Sequence, residues 1–249
     1  MLSPRFGLFV VAAVVTSACQ DHAAPAHGHA EGAAHAPATA ASKPGAHEGA
    51  HGYGRMHAMP HSFEGAEKWA KHFDDPERDA WQKPVEVVKL MDIAPGTTVA
   101  DVGAGTGYFL GYLSEAVGPK GKVLGLDLEP DMVEYMTQRA KKEGWKNVEA
   151  AEVAADDPGL EPGSTDRVLI VDTWHHIGDR KAYAAKLAAG LSAEGAIYVV
   201  DFTKDSPEGP PAAHRLSAEV VIAELESAGL EAEVLEESLP NQYVVRATK

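Results

Sequence analysis

One turn constrains the fold of this chain more than any other feature. A strand pattern runs into three alternate glycines and continues as a helix pattern, in the sequence TVADVGAGTGYF at residues 98–109. Glycines leave no side chain to keep a flat ligand away from the backbone. Their spacing, at Gly103, Gly105 and Gly107, differs from the Gly-x-Gly-x-x-Gly fingerprint that receives a pyrophosphate. We therefore expect a ligand without a diphosphate.

A second strand pattern ends in an acid. It runs over residues 122–127, and Asp127 lies twenty residues beyond Gly107. At this place α/β folds put a carboxylate that accepts hydrogen bonds from both ribose hydroxyls. The alternative interpretation is that Asp127 caps the helix that begins near Pro130, since Asp is also a favoured cap.

Strand and helix patterns alternate along most of the chain. Such alternation predicts right-handed crossovers and a parallel sheet with helices on both faces. The predicted strands are residues 98–102, 122–127, 147–151, 167–171 and 196–202, and the predicted helices are residues 108–117, 131–143 and 180–189. A helix at 217–228 and a hairpin of strands at 231–235 and 242–247 complete the pattern.

The turn, Asp127 and the stretch 166–201 together resemble class I S-adenosylmethionine-dependent methyltransferases of the type 11/25 kind. The resemblance covers residues 63–249. It implies a Rossmann-like, doubly wound, seven-stranded and mostly parallel α/β sheet with the last strand antiparallel, after a short helical lead-in. It also implies S-adenosylmethionine as cofactor and methyl transfer to a small-molecule acceptor.

By resemblance, the glycine turn holds the methionine part of the cofactor, Asp127 holds the ribose and Leu128 flanks the adenine. One position departs from the family pattern. Ala154 stands where an acid usually accepts from the adenine amino group, so either Asp156 substitutes or apolar contacts and backbone hold the adenine. The predicted cofactor-binding residues are Asp101, Gly103, Gly105, Gly107, Asp127, Leu128, Asp156 and Asp172.

Two adjacent histidines follow the fourth predicted strand. Methyl transfer from a sulfonium needs alignment of the nucleophile, and removal of a proton when the acceptor is not already nucleophilic. Imidazole titrates near neutrality, so His175 or His176 is the candidate catalytic base. The alternative is a structural pair that hydrogen-bonds the backbone of the loop.

The charge of the chain argues against a nucleic-acid substrate. The net charge is −15, and residues 63–249 carry 34 acidic against 19 basic side chains. Phosphate backbones require a basic stripe, and no cluster beyond residues 139–142 offers one. We expect a small-molecule partner.

The beginning of the chain has the pattern of an export signal. Residues 1–19 combine a basic start, an apolar core of about ten residues and small residues before Cys19, the only cysteine. The resemblance to a lipobox predicts a lipid anchor at Cys19 on the periplasmic face of a bacterial membrane. Cleavage by an ordinary signal peptidase, or a cysteine placed by chance, are the alternatives.

Residues 20–62 contain Ala, His, Gly and Pro with few large apolar side chains, which predicts a disordered tether. Eight of the twelve histidines lie there. Imidazoles bind zinc, copper or nickel, but the spacing is irregular, so a solvated linker is favoured and no metal ligand is predicted.

The lead-in that follows carries Trp69, Phe73 and Trp81 at near-helical intervals. Its stretch 73–84 resembles the lead-in of exported predicted methyltransferases. The aromatic side chains either face the core or form a lid over the cofactor cleft. Two other functions compete with methyl transfer: an inactive exported binding protein that keeps the fold, and an NAD-linked oxidoreductase, which requires the longer glycine spacing.

Overall fold

The computed structural model describes residues 65–249. The predicted signal peptide, Cys19 and the tether 20–62 lie outside the described residues, and their predictions stay predictions. Within the described part, none of the helices has the length and apolar character that crossing a membrane requires.

Seven helices and seven strands follow the predicted order. The helices are α1 (Ala66–Phe73), α2 (Arg78–Gln82), α3 (Pro84–Leu90), α4 (Leu110–Val117), α5 (Pro130–Glu143), α6 (Arg180–Gly190) and α7 (Ala218–Glu226). The strands are β1 (Thr98–Val102), β2 (Lys122–Asp127), β3 (Val148–Glu152), β4 (Thr165–Val171), β5 (Leu191–Phe202), β6 (Glu231–Val234) and β7 (Gln242–Thr248).

The strands form one sheet in the order β3-β2-β1-β4-β5-β7-β6. Strands β1 to β5 pair in parallel, and β7 is antiparallel to both of its neighbours, β5 and β6. The predicted doubly wound sheet with its last strand antiparallel is confirmed. The strand order reverses between β1 and β4, so the carboxyl ends of these strands are where ligands bind in open α/β sheets.

Both faces of the sheet are buried. Along β5, alternate side chains enter two different cores: Ile197 belongs to the same core as Trp174, and Tyr198 belongs to the same core as Leu110. One core includes α6 and α7, and the other includes α3 and α4. Helices on both faces therefore hold the sheet rigid beneath the ends of its strands.

The largest difference from the predicted elements is at the start of β5. The strand begins at Leu191, five residues before the predicted start, and Leu191 pairs with Thr165 of β4. The register then shifts, so that Arg167 pairs with Ala196. Ser192, Glu194 and Gly195 lie in this irregular stretch of β5, where the strand bulges. Their polar or small side chains do not follow the alternating pattern of a strand.

Candidate active site

The glycine turn admits no larger residue at two of its positions. Gly103 has φ +72°, and a Cβ there would lie 2.4 Å from the Thr173 side chain. Gly107 has φ +77°, and a Cβ there would lie 2.7 Å from Leu110. The turn is also fixed to β2, because the N–H of Gly103 donates to the Leu126 carbonyl at 2.8 Å. The sequence therefore needs glycine here for backbone geometry.

Asp127 is fixed by backbone groups. Its Oδ2 accepts from the N–H of Gly105 at 2.8 Å, and its Oδ1 accepts from the N–H of Glu129 at 3.0 Å. Burial raises the pKa of this carboxyl, and these two hydrogen bonds oppose the rise. The N-cap of α5 is Glu129, so Asp127 does not cap that helix. The neighbouring Leu128 side chain is 51% exposed. Ribose and adenine binding at these two residues stay predictions.

Asp156 lies apart from the other predicted residues. Its side chain is 88% exposed, and its carboxylate lies 3.7 Å from the Lys186 ammonium of α6. The Lys186 ammonium also donates to the Asp156 carbonyl at 2.6 Å.

Tyr183, which the sequence did not single out, is buried on α6, and burial together with the charges of Asp157 and Asp127 raises the pKa of its phenol.

Two further predicted carboxylates lie at the switch point. Asp101 is the residue before the last in β1 and is 3% exposed, and Asp172 follows β4 with φ +53°. Burial raises the pKa of each to about 7, and the charge of Arg78 opposes the rise in both. Asp172 also accepts from the Gln242 amide at 2.6 Å. These acids are held close to a positive charge that comes from the lead-in.

His175 is paired with a buried acid. Its Nδ1 lies 2.9 and 3.0 Å from the two carboxylate oxygens of Asp201, the residue before the last in β5, and the side chains are 3% and 0% exposed. The N–H of Phe202 donates to the same carboxylate at 2.8 Å. The His176 ring lies against His175 with centroids 4.2 Å apart. Sequence spacing pointed to the histidines, but the pairing with Asp201 depends on the adjacency of β4 and β5.

The lead-in lies over the glycine turn. The Phe73 ring is 3.5 Å from the position of a Cβ on Gly105. The Thr106 hydroxyl donates to Asp74 at 2.9 Å, and the Tyr108 hydroxyl donates to Asp79. Pro84 begins α3, as expected for a proline at a first helical turn, whereas Pro76 lies in the turn before α2. The lid interpretation of the lead-in fits these contacts.

The residues at this edge fit an adenosyl cofactor that carries a sulfonium. Gly103, Gly105 and Gly107 carry no side chains, so a ligand can approach the backbone of the turn. Three carboxylates suit hydroxyl donors and positive charge: Asp101 and Asp127 are buried, and the Asp172 side chain is 20% exposed. Among the described residues no group of three His, Cys, Asp or Glu side chains has the arrangement of a metal site.

Comparison with known proteins agrees with this geometry. A family model described as a methyltransferase domain matches residues 93–237, more than half of the chain. A solved S-adenosylmethionine-dependent methyltransferase from Aquifex aeolicus superposes with a TM-score of 0.69 at 31% identity, over 74% of this chain and 97% of that one.

Curated relatives match over shorter stretches. The demethylmenaquinone methyltransferase of Lactococcus lactis is 37% identical over 38% of this chain and 36% of its own length. The protein-L-isoaspartate O-methyltransferase of Aeropyrum pernix is 36% identical over 30% of this chain and 28% of its own. The chain thus spans about a third of the length of these relatives, which act on different acceptors by name. The chain belongs to the methyltransferase domain family, with the class I fold and S-adenosylmethionine as its cofactor.

Proposed function

We propose that this protein transfers a methyl group from S-adenosylmethionine to a small-molecule acceptor. The observation that carries the proposal is the grouping of three features at one edge of the sheet: the glycine turn after β1, Asp127 at the end of β2, and the His175–Asp201 pair after β4 and at the end of β5. A cofactor cradle and a paired imidazole are what alignment and proton removal require.

In this proposal different residues hold the ribose and the methionine part of the cofactor. Once bound, S-adenosylmethionine supplies a methyl group on a positively charged sulfur. The Asp127 carboxylate accepts from the ribose hydroxyls, and the bare backbone of Gly103 and Gly105 receives the methionine part. Asp101 and Asp172 bring negative charge to the same edge, which favours a cationic ligand in a site of low dielectric.

His175 removes the acceptor proton. A carboxylate can only accept, so the imidazole Nδ1 carries the hydrogen shared with Asp201 and Nε2 keeps its lone pair. A proton from an acceptor hydroxyl can then pass to Nε2. Such general-base assistance contributes about 10²–10⁴-fold to a rate. Asp201 keeps the ring in the productive tautomer and stabilises the charged imidazole.

An aromatic side chain lies next to His175, and a second one lies next to the first. Phe202 lies 6.5 Å from the His175 ring and 6.1 Å from the Trp81 ring, measured between centroids. The charge of the chain is strongly negative. Both features favour a small, largely apolar acceptor with an ionisable hydroxyl over a nucleic acid.

The test uses the full-length protein and S-adenosylmethionine labelled with tritium on its methyl group. A panel of phenols, quinols and aliphatic alcohols is screened for transfer of the label, alongside calorimetry with unlabelled cofactor. We expect cofactor binding and transfer to at least one hydroxylated aromatic compound. Absence of cofactor binding at millimolar concentration would contradict the proposal.

A second candidate function is an inactive binding protein that retains the cofactor fold. The exposure of Asp156, together with Ala154 in place of the usual acid, favours this candidate because neither position supplies a buried acid for the adenine amino group. Tight cofactor binding with no transfer to any member of the panel would support this alternative.

We also propose that the protein is exported and anchored by a lipid at Cys19. The support is the sequence alone: an apolar segment too short to span a bilayer ends in small residues before the only cysteine. Labelled palmitate should enter the wild-type protein and not Cys19→Ser. Equal labelling of the two proteins would contradict lipidation at this thiol.

A further inference from the structure

The lead-in brings one cation into the candidate site. Arg78 of α2 lies outside residues 93–237, the part that the family model matches. Its Nη1 donates to the Phe73 carbonyl at 2.9 Å, and its Nε and Nη2 donate to Oε1 of Gln82 at 3.2 and 2.9 Å. Three hydrogen bonds therefore hold the guanidinium in one place, with its side chain only 13% exposed.

The guanidinium faces two acids and two aromatic rings, and its carbon lies 5.8 Å from the centre of the Trp81 ring. Its Nη2 lies 3.5 Å from Oδ2 of Asp172, and its charge also acts on Asp101. The guanidinium carbon lies 4.2 Å from the centre of the Tyr108 ring, next to the glycine turn. One cation thus lies beside the partly exposed Asp172 and close enough to the buried Asp101 for its charge to act on that acid.

A closed ring of side chains connects this cation to the sheet. The Gln82 amide donates to Oε1 of Gln242 at 2.6 Å, and the Gln242 amide donates to Oδ1 of Asp172 at 2.6 Å. With the two contacts of Arg78, these four residues form what we call the Arg78 ring. The ring joins α2 to β7 and to the end of β4, so the lead-in and the switch point are held together.

The ion pair within the ring is a loose one. A separation of 3.5 Å exceeds the 2.7–2.9 Å or so that is typical of a charge-assisted hydrogen bond, so Asp172 does not take up the whole charge of Arg78. The guanidinium retains the capacity to bind a second anion. Because the guanidinium is planar and has several N–H donors, it binds a carboxylate or a phosphate best.

The cofactor of this family brings a fitting pair of charges. The amino-acid end of S-adenosylmethionine carries an ammonium and a carboxylate on the same carbon atom. Two carboxylates with one guanidinium beside them match that zwitterion, with the acids for the ammonium and Arg78 for the carboxylate. S-adenosylmethionine contains no phosphate, so its carboxylate is the one anion that it can offer to Arg78.

We propose that Arg78 binds the carboxylate of the cofactor's amino-acid end while Asp101 and Asp172 receive its ammonium, which makes the lead-in part of the cofactor site. This inference rests on the proposed placement of the cofactor at the glycine turn. Its consequence is that the cofactor holds α1 and α2 closed over the turn through Arg78.

Two nucleosides separate this role from a merely structural one. S-adenosylhomocysteine has the amino-acid end, and 5′-methylthioadenosine lacks it. In calorimetry on the full-length protein, Arg78→Gln should weaken binding of S-adenosylhomocysteine by roughly tenfold or more and change binding of 5′-methylthioadenosine by less than about twofold. Arg78→Lys should show an intermediate loss, since it keeps the charge without the fork.

Arg139→Gln is the matched control. Arg139 also holds the lead-in: it donates to Asp74 at 2.8 Å and to the Thr106 carbonyl at 3.1 Å, whereas Arg78 faces the acids of the switch point. This variant should change binding of both nucleosides by the same factor. Equal weakening of both nucleosides in Arg78→Gln, or no weakening of either, would overturn the proposed role.

Limited trypsin cleavage gives a second readout. Lys68 and Lys71 are exposed on α1, and cleavage after them reports opening of the lead-in. S-adenosylhomocysteine should slow this cleavage in the wild type and not in Arg78→Gln, and 5′-methylthioadenosine should not slow it in either. Failure of the wild type to bind either nucleoside would overturn both the cofactor placement and the role of Arg78. If the wild type binds normally but S-adenosylhomocysteine also protects Arg78→Gln from trypsin, only the role of Arg78 is overturned.

Discussion

The two halves of the candidate site are built by different means. At the ends of β1 and β2 the polar contacts use the backbone, since Asp127 accepts from the N–H groups of Gly105 and Glu129. At the ends of β4 and β5 they use side chains far apart in sequence, as in His175 with Asp201 and Gln82 with Gln242. Where the contacts use the backbone, as at the glycine turn, the local sequence must supply particular residues such as glycine. Where the contacts use side chains, the two partners must match each other but can lie far apart in the sequence. The halves should therefore fail in different ways when they are mutated.

The largest effect is expected in the side-chain half. His175→Gln should lower tritium transfer by about 10²–10⁴-fold because the proton acceptor is lost. Binding of S-adenosylhomocysteine should change by less than about twofold, since the cofactor half is intact.

Glu224→Gln is the control for general damage. Glu224 accepts from the Trp174 indole at 2.8 Å and from Arg180 at 2.9 Å, in a buried cluster between α6 and α7. This variant should lower thermal stability and leave the rate per folded molecule unchanged. A loss of cofactor affinity as large as the loss of rate in His175→Gln would mean that the histidine is structural.

In the half of the site formed by the glycine turn and Asp127, a substitution should weaken cofactor binding. In Gly103→Ala the new Cβ would lie 2.4 Å from the Thr173 side chain, so Thr173 or the turn must move, and contacts worth about 1.4 kcal/mol, a tenfold loss of binding, can be lost with it. We expect such a loss in the affinity for S-adenosylhomocysteine, measured by calorimetry. Gly118→Ala is the matched control, because Gly118 has φ +66° with no atom within 4 Å of its Cβ position. If both variants bind equally well, the turn is not the cofactor site.

A smaller effect concerns pH and stability. The pKa of Asp101 is about 7 in the folded state, above its ordinary value near 3.9, so the folded protein holds a proton that the unfolded chain has lost between about pH 4 and pH 7. The free energy of unfolding should therefore fall as pH rises through this range. Asp101→Asn should be more stable than wild type by about 1–3 kcal/mol near pH 8 and equal to it near pH 4.

Urea unfolding at a series of pH values measures this difference. The exposed acid Asp205 provides the control, because Asp205→Asn should track the wild type at every pH. A stability gap for Asp101→Asn that is constant with pH would contradict a raised pKa for Asp101.

The sequence predicted the fold almost completely, but it singled out only some of the residues that form the candidate site. Glycine spacing and strand-terminal acids are local signals, so β1, β2 and the turn were found with their bounds. The start of β5 was missed because its first turns of chain are polar and bulged. Those residues are ordered by pairing with β4, which no local pattern reports.

The side-chain half shows what local patterns cannot contain. His175 was singled out, but its pairing with Asp201 follows from the adjacency of β4 and β5. Arg78 went unnoticed because one arginine in a charged helix carries no signal of its own. Its importance comes from Asp101 and Asp172, which the strand order of the sheet brings together.

The central claim is that the cofactor binds at the glycine turn with its ribose on Asp127. Calorimetry with S-adenosylhomocysteine on the full-length wild type, Asp127→Ala and Asp156→Ala tests it most directly. We predict binding by the wild type, a loss of about 1.5–3 kcal/mol in Asp127→Ala, and a change below about 0.5 kcal/mol in Asp156→Ala, whose carboxylate is exposed. Unchanged affinity in Asp127→Ala, or no binding by the wild type, would contradict the account.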